Sequence, residues 1–197
     1  MNTTVPILEF DPDLHEYRVN GRRVPGVTEV LRAGGLIDDR WFTTESAWRG
    51  SAIHMACQLD DEGTLNPKSV DPSISGELEA YRRFKWEMNF EPQEIEVPHC
   101  GLIGGMEVAG RPDRTGILFK NQVVLDLKSG VVSRATALQL AAYSALTGIP
   151  GRVAVRLFPE GRYSVEQFFV RDRLRDLRQF QAALTTWWWV HREDKPQ

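Results

Sequence analysis

Gly110-Arg111-Pro112-Asp113-Arg114-Thr115, followed by Val123-Val124-Leu125-Asp126-Leu127-Lys128, reads as the two facing halves of a β-hairpin. The strands are expected over Gly105 to Leu118 and Gln122 to Lys128, with Lys120-Asn121 as a two-residue turn. That turn sets Asp113 opposite Lys128 and Thr115 opposite Asp126. Side chains alternate along a strand, so Asp126 and Lys128 share one face. Asp113 and Thr115 join them across the ladder. Two carboxylates and an ammonium therefore meet at one end of the hairpin, provided the register holds; a one-residue slip turns the set away.

Outward from this hairpin the pattern alternates between periods. Towards the N-terminus, Ile7 to Val24 reads as a β-hairpin turning at Asn20-Gly21. A short helix runs from Val27 to Ala33 and stops at Gly34-Gly35, and a longer one from Thr44 to about Asp60. Gly63 to Ser75, rich in Pro, Ser and Asp, reads as a loop. A third helix spans Gly76 to Met88, with Leu78, Tyr81 and Phe84 at helical spacing. Glu94 to Pro98 reads as a strand. Beyond Lys128, a helix from Ala135 to Leu146 ends at Gly148 and Pro150. Arg152 to Phe158 and Tyr163 to Val170 form a hairpin around Pro159-Glu160-Gly161, and Asp172 opens a terminal helix. The expectation is one α/β domain over residues 1–197, with a central mixed sheet flanked by helices. Residues 1–35 supply an N-terminal hairpin and short helix, and 171–197 a C-terminal helix.

Composition narrows the class. A chain of 197 residues, 42% hydrophobic and 26% charged, is long enough for one core and too apolar for global disorder. No apolar run approaches the roughly 20 residues of a membrane span. Met1-Asn2-Thr3-Thr4 does not open a secretory signal, so a cytoplasmic protein without membrane partners is expected. In that compartment Cys57 and Cys100 are expected as thiols rather than a disulfide. Net charge is −3, which excludes a uniformly basic nucleic-acid binder, yet the cations are 19 Arg against 5 Lys. Guanidinium forks suit bidentate phosphate contacts.

Two hard carboxylates can hold Mg²⁺ or Mn²⁺ and leave positions for water and phosphate. A lysine beside them orients water or neutralises developing charge. An ordinary cross-strand ion pair on a surface hairpin would use the same three residues. The wider pattern bears on that choice. Pro112-Asp113 with Asp126-Leu127-Lys128 resembles the signature of the PD-(D/E)XK nuclease superfamily. Gly50-Ser51-Ala52-Ile53-His54 upstream and Gln139-Leu140-Ala141-Ala142-Tyr143 downstream resemble the flanking elements of its RecB-type and phage-exonuclease branch. The stretch His15-Glu-Tyr-Arg-Val-Asn-Gly21 to Val24-Pro-Gly-Val-Thr28 resembles the opening of phage nucleases of this group. The likeness spans residues 15–145.

The resemblance implies a restriction-endonuclease-like core and a metal-dependent nuclease. His54, Asp113, Asp126, the Leu127 carbonyl and Glu96 would serve as metal ligands. Lys128 would act on the attacking water, and Gln139 and Tyr143 would support phosphate and lysine. The residues carry arguments of their own. His54 shares a helical face with Gly50, Ser51 and Gln58, and neutral imidazole is a metal ligand. Gln139 and Tyr143 stand four apart on one face, where Tyr143 could equally be packing and Gln139 solvated. Glu94 and Glu96 share a strand face. Arg134, Arg111, Arg114 and Lys120 surround the motif as candidate DNA-backbone contacts, Arg134 at a helix N-terminus being the best placed. Trp187-Trp188-Trp189 cannot all face one way, so at least one is core and another is available for base stacking or a subunit contact. Trp41 and Trp48 flank the His54 helix and either pack or touch DNA.

The expected activity is hydrolysis of DNA phosphodiester bonds, most like a phage-type exonuclease of recombination, repair or replication. A single-strand annealing or recombination protein and further copies of the chain are the implied partners. Two rivals stand beside it: an endoribonuclease with the same metal site, and a non-catalytic nucleic-acid-binding protein on a nuclease fold.

Overall fold

The computed structural model describes residues 6–37 and 43–191. Ten strands and five helices of this region concern the site. β1 (Leu8–Asp11), β2 (Glu16–Val19) and β3 (Arg22–Val24) precede α1 (Val27–Ala33), α2 (Thr44–Asp61) and α3 (Ser75–Glu87). Then come β4 (Phe90–Ile95), β5 (His99–Ile103), β6 (Met106–Gly110), β7 (Arg114–Leu118) and β8 (Asn121–Lys128). The chain continues through α4 (Arg134–Thr147), β9 (Gly151–Leu157), β10 (Tyr163–Phe168) and α5 (Arg173–Val190).

The central sheet has the order β10-β9-β8-β7-β4. β8 and β9 are parallel and joined through α4, as parallel pairing requires; the other pairs are antiparallel. Helices cover both faces, so the fold is mixed α/β with a central mixed sheet, the class the sequence predicts. On one face Leu125, Leu127, Val153, Val155 and Leu157 pack against Ile53 of α2 and Leu78, Tyr81 and Phe84 of α3. On the other, Val124 and Ala154 meet Leu140 and Tyr143 of α4, Phe180 and Leu184 of α5, and Val30 and Leu31 of α1. This two-sided burial explains why β8 is buried without a break from Val123 to Leu127, Asp126 included.

Four local expectations are corrected. Ile7 to Val24 is a three-stranded meander, because a second turn around Asp11 to His15 precedes the one at Asn20-Gly21. Asp11 Oδ1 accepts from the backbone N–H groups of Asp13 and Leu14 and so closes that extra turn. The span Gly105 to Leu118 is two strands, interrupted at Arg111-Pro112-Asp113, where proline has no N–H to give a ladder. His99–Ile103 is a strand as well, turned onto β6 by Gly104-Gly105, both at positive φ. The β7–β8 turn is Phe119-Lys120, at φ 46° and 68°, with Leu118 paired to Asn121. This moves the register by two residues from the expected one, so Thr115 faces Val124 rather than Asp126. An even shift preserves which side chains share a face.

The tryptophans divide as their helical positions require. Trp187 is buried, with Nε1 donating to Glu29, and Trp188 donates Nε1–H to the Glu107 carbonyl. Trp189 is 70% exposed and Trp48 is exposed, while Trp41 lies outside the described residues. Cys57 and Cys100 are thiols. No helix among the described residues is long and apolar enough to cross a membrane.

Candidate active site

The break between β6 and β7 places Asp113 just beyond the β7–β8 ladder, whose last pair is Arg114 with Leu125. Asp113 closes the gap itself: its Oδ2 accepts the Leu127 backbone N–H at 2.6 Å. The Pro-Asp loop is thereby tied to the Asp-x-Lys strand. Gly110 allows the loop to pass here, because a Cβ at that position would lie 2.7 Å from the Tyr143 ring and 2.9 Å from Val27. Any side chain would force α4 or α1 away.

α2 approaches the same loop from the other side. His54 Nδ1 lies 3.4 Å from Asp113 Oδ1 and 4.0 Å from Glu96 Oε1. Seven residues further along the same helical face, Asp61 pairs with Arg114. Asp113 and Arg114, adjacent in sequence, thus hold α2 at two points about two turns apart. Glu96 follows β4 at φ 53°, a conformation uncommon for a non-glycine residue, and its N–H donates to the Asp113 carbonyl at 3.1 Å. This twist separates Glu96 from Glu94, which accepts instead from Thr115 Oγ1 and contacts His99, so the two do not share the site. His54, Glu96 and Asp113 each offer a ligand atom within 4.8 Å of the others. One nitrogen and two carboxylate oxygens so spaced form a donor set that suits a divalent cation.

On the α4 side runs a polar chain. Lys128 Nζ lies 2.7 Å from Asp126 Oδ2 and donates to Gln139 Oε1 at 3.2 Å. Gln139 Nε2 donates to the Tyr143 hydroxyl at 3.2 Å. Asp126 is almost wholly buried, and its oxygen is turned to Lys128, so it stands outside the tight group of three. Leu127 points its side chain into the α2–α3 core.

The charges interact strongly. The Asp113 carboxylate raises His54 to about 9 against the opposing effect of burial, with Asp126 and Glu96 adding to it. Burial alone would raise Asp113, but His54, Lys128 and the Leu127 N–H hold it near 2. Burial lifts Asp126 to about 6, with Lys128 opposing and the Asp113 charge reinforcing. Glu96 rises to about 7, first from burial and then from Asp113, against Arg111, His54 and Arg114. Lys128 is raised despite burial, by Asp126 and Asp113. Burial pushes the Tyr143 phenol far up, so it stays neutral. Three carboxylates, two buried and Glu96 nearly so, are thus held close, and a bound cation would favour the charged form of Asp126 and Glu96 that burial disfavours.

The surrounding cations fall into two sets. Arg111 is half-buried, with Nε 3.0 Å from Glu96 Oε2 and its guanidinium over the Phe10 ring. Arg134 is exposed at the first position of α4, where it lines a groove of about 870 Å³ with Val132, Glu166 and Phe168. Two expectations fail. Arg114 is fully buried on Asp61 and cannot meet a DNA backbone at the surface. Lys120 sits in the turn at the opposite end of β8 from Lys128, roughly 25 Å away along an extended strand. Sequence reasoning also passed over Arg156, which pairs with Lys128 across the parallel β8–β9 ladder. The sequence signal was weak: β9 carries two arginines among its apolar residues, Arg152 and Arg156, and only the ladder shows that Arg156 lies level with the lysine.

No protein-family model matches the chain. No curated protein matches it. Among solved structures it is similar to LHK-Exo, an alkaline exonuclease from Laribacter hongkongensis, at 13% identity and a TM-score of 0.42 over 83% of this chain and 88% of that one. The same enzyme in complex with dAMP aligns at 16% identity and a TM-score of 0.39, covering 83% and 88%. A Eubacterium rectale protein carrying an exonuclease assignment aligns at 10% identity and a TM-score of 0.47, covering 84% of this chain and 76% of that one. The site's own geometry, and not this likeness, carries the functional reading.

Proposed function

We propose that this chain is a divalent-metal-dependent nuclease on a restriction-endonuclease-like core, and that it hydrolyses phosphodiester bonds in DNA. One observation carries the reading: the His54–Glu96–Asp113 group lies directly beside the Asp126–Lys128–Gln139–Tyr143 chain, the two linked by the Asp113–Leu127 bond. His54, Glu96 and Asp113 would hold Mg²⁺ or Mn²⁺, with Asp126 and the Leu127 carbonyl as further ligands. Such an ion supplies Lewis-acid stabilisation of a phosphoryl oxygen and acidifies its water.

The chain's own groups do the rest. The raised pKa of Lys128 keeps it an ammonium at neutral pH, so it acts as a donor to the reacting phosphate and its water rather than as a proton acceptor. Asp126 and Gln139 fix that ammonium from two sides, and Tyr143 orients Gln139. Neutral Tyr143 and the Gln139 amide add no charge that would repel phosphate. Exonuclease action of the phage type, within recombination, repair or replication, is the subtype we favour, from the motif order His54, Asp113, Asp126-Leu127-Lys128, Gln139, Tyr143.

Incubation of end-labelled linear DNA, circular duplex DNA and RNA with Mg²⁺, Mn²⁺ or chelator tests the reading, beside an Asp126→Ala variant. Linear DNA is degraded, circular duplex survives, and chelator or the substitution abolishes the reaction. Equal turnover by the variant removes Asp126 from the chemistry, and cleavage of RNA alone replaces the substrate.

A further inference from the structure

The cationic face that begins at Lys128 does not stop at β8. In the parallel β8–β9 ladder Lys128 pairs with Arg156, one step beyond Asp126 and Ala154. Residues in register on neighbouring strands project to the same side. Ala154 packs in the α4–α5 core, which identifies that side, so Arg156 stands next to Lys128 at the C-terminal ends of the two strands.

Arg156 is built into a stack. Its guanidinium lies 4.6 Å from the centroid of the Phe158 ring, and that of Arg162 lies 4.5 Å from the same ring. The Phe158 N–H donates to the Arg162 carbonyl at 2.9 Å, closing the β9–β10 hairpin, so a tight turn holds all three side chains together. Cation–π contact with one ring restrains both guanidiniums before any ligand arrives. Arg156 Nε is buried and has no hydrogen-bond acceptor among the described residues. Arg162 has a carboxylate neighbour, Glu160, at 3.4 Å, but both are more than 60% exposed and water screens the pair.

We propose that Arg156 and Arg162, splinted by Phe158, form a phosphate-backbone subsite that continues the nucleic-acid strand's path from Lys128 across β9 to the β10 edge. The inference rests on the nuclease reading for what happens at Lys128, but binding is measurable without cleavage. Guanidinium forks match phosphate oxygens. The two strand spacings involved span roughly 10 Å, enough to meet neighbouring phosphates of one strand. Because the Phe158 ring is flanked by guanidiniums, it is not offered to a base, and the subsite reads backbone without sequence preference.

The test is fluorescence anisotropy of labelled 20-nucleotide oligonucleotides, one of mixed sequence and one of oligo-dT, in chelator across a salt series. Wild type is compared with Arg156→Gln, Arg162→Gln, the double variant and the charge-retaining Arg156→Lys. The double variant is expected to bind about 10-fold or more weakly, to flatten the slope of log K against log salt by about 1 to 1.5, and to do so equally for both sequences. Arg156→Lys keeps most of the slope, which separates lost charge from lost folding. Unchanged affinity and slope in the double variant, with a wild-type circular dichroism spectrum, overturns the subsite; so does a wild type that binds neither oligonucleotide. Binding that depends on both arginines in a protein that cleaves nothing with Mg²⁺ or Mn²⁺ supports the subsite while removing the nuclease reading.

Discussion

Arg114 and Asp61 form an ion pair with no solvent exposure on either side chain, Nε to Oδ2 at 2.6 Å, directly behind the candidate metal site. Tyr81 of α3 donates its hydroxyl to the same Asp61 oxygen at 2.6 Å, and Lys85 Nζ reaches Oδ1 at 2.6 Å. Arg114 also donates to the Asp113 carbonyl. The pair therefore ties α2 and α3 to the loop that carries Asp113.

Removing Asp61 leaves the Arg114 guanidinium buried with Glu96, at 3.8 Å, as its nearest carboxylate, whereas removing Arg114 leaves Asp61 still held by Lys85 and Tyr81. Asp61→Ala is expected to destabilise the fold by about 3–5 kcal/mol, and Arg114→Ala by less because Asp61 keeps Lys85, both read from urea unfolding midpoints. A loss under about 1 kcal/mol would mean that water reaches the surviving charge.

The acidic group and the polar chain separate by readout. His54→Gln, Glu96→Gln and Asp113→Asn should each weaken Mn²⁺ binding about 10-fold or more by titration calorimetry. Lys128→Met should leave Mn²⁺ binding near wild type while lowering kcat by about 10²-fold or more. Gln139→Leu, which acts through the lysine, should cost less than Lys128→Met. Wild-type turnover by Lys128→Met would remove the ammonium from the chemistry.

Metal binding should release protons. His54 is held near 9 by Asp113 in the metal-free protein, so at pH 7 it carries a proton that a ligand nitrogen must lose. Affinity for Mn²⁺ should rise with pH between about 7 and 9 and then level off. The stability sign follows from the same shift. A raised imidazole contributes fully below its unfolded value of about 6.5 and loses that contribution as pH climbs through about 9. Calorimetry in two buffers of different ionisation enthalpy measures the released protons, and His54→Gln should remove the slope above about pH 8 while leaving the part near pH 7 that Glu96 contributes.

The β7–β8 turn offers a stabilising change. Lys120 sits at φ 68°, where glycine carries no Cβ penalty. Lys120→Gly is expected to be neutral or to stabilise by up to about 1 kcal/mol. A clear drop in thermal midpoint would show that Lys120 makes a contact its exposed position does not suggest.

Much of the architecture was readable from periodicity. α1 spans the expected Val27 to Ala33, and α2 and α4 depart from expectation by a residue at their ends. These segments carry complete local instructions: apolar spacing, a cap, and a glycine or proline stop. The face shared by Asp126 and Lys128 was readable too, because alternation along a strand is local. The strand His99–Ile103 was not, since it packs as a two-stranded flap whose pairing partner lies after a glycine turn.

What local chemistry could not encode is separation in space between segments far apart in the chain. That Glu96 turns to His54 while Glu94 turns to Thr115 depends on one positive φ after β4. That Arg114 is a buried strut while Arg156 stands beside Lys128 depends on what covers each arginine: α2 and α3 close over Arg114 with Asp61 and Tyr81, whereas Arg156 lies near the strand ends, level with Lys128. Residue types and their spacing along the chain were enough to specify which groups could take part and on which strand face they lie. Their burial, and hence their charge state and partners, arises only when the helices close over the two faces of the sheet, because desolvation and Coulomb coupling act through space and not along the backbone.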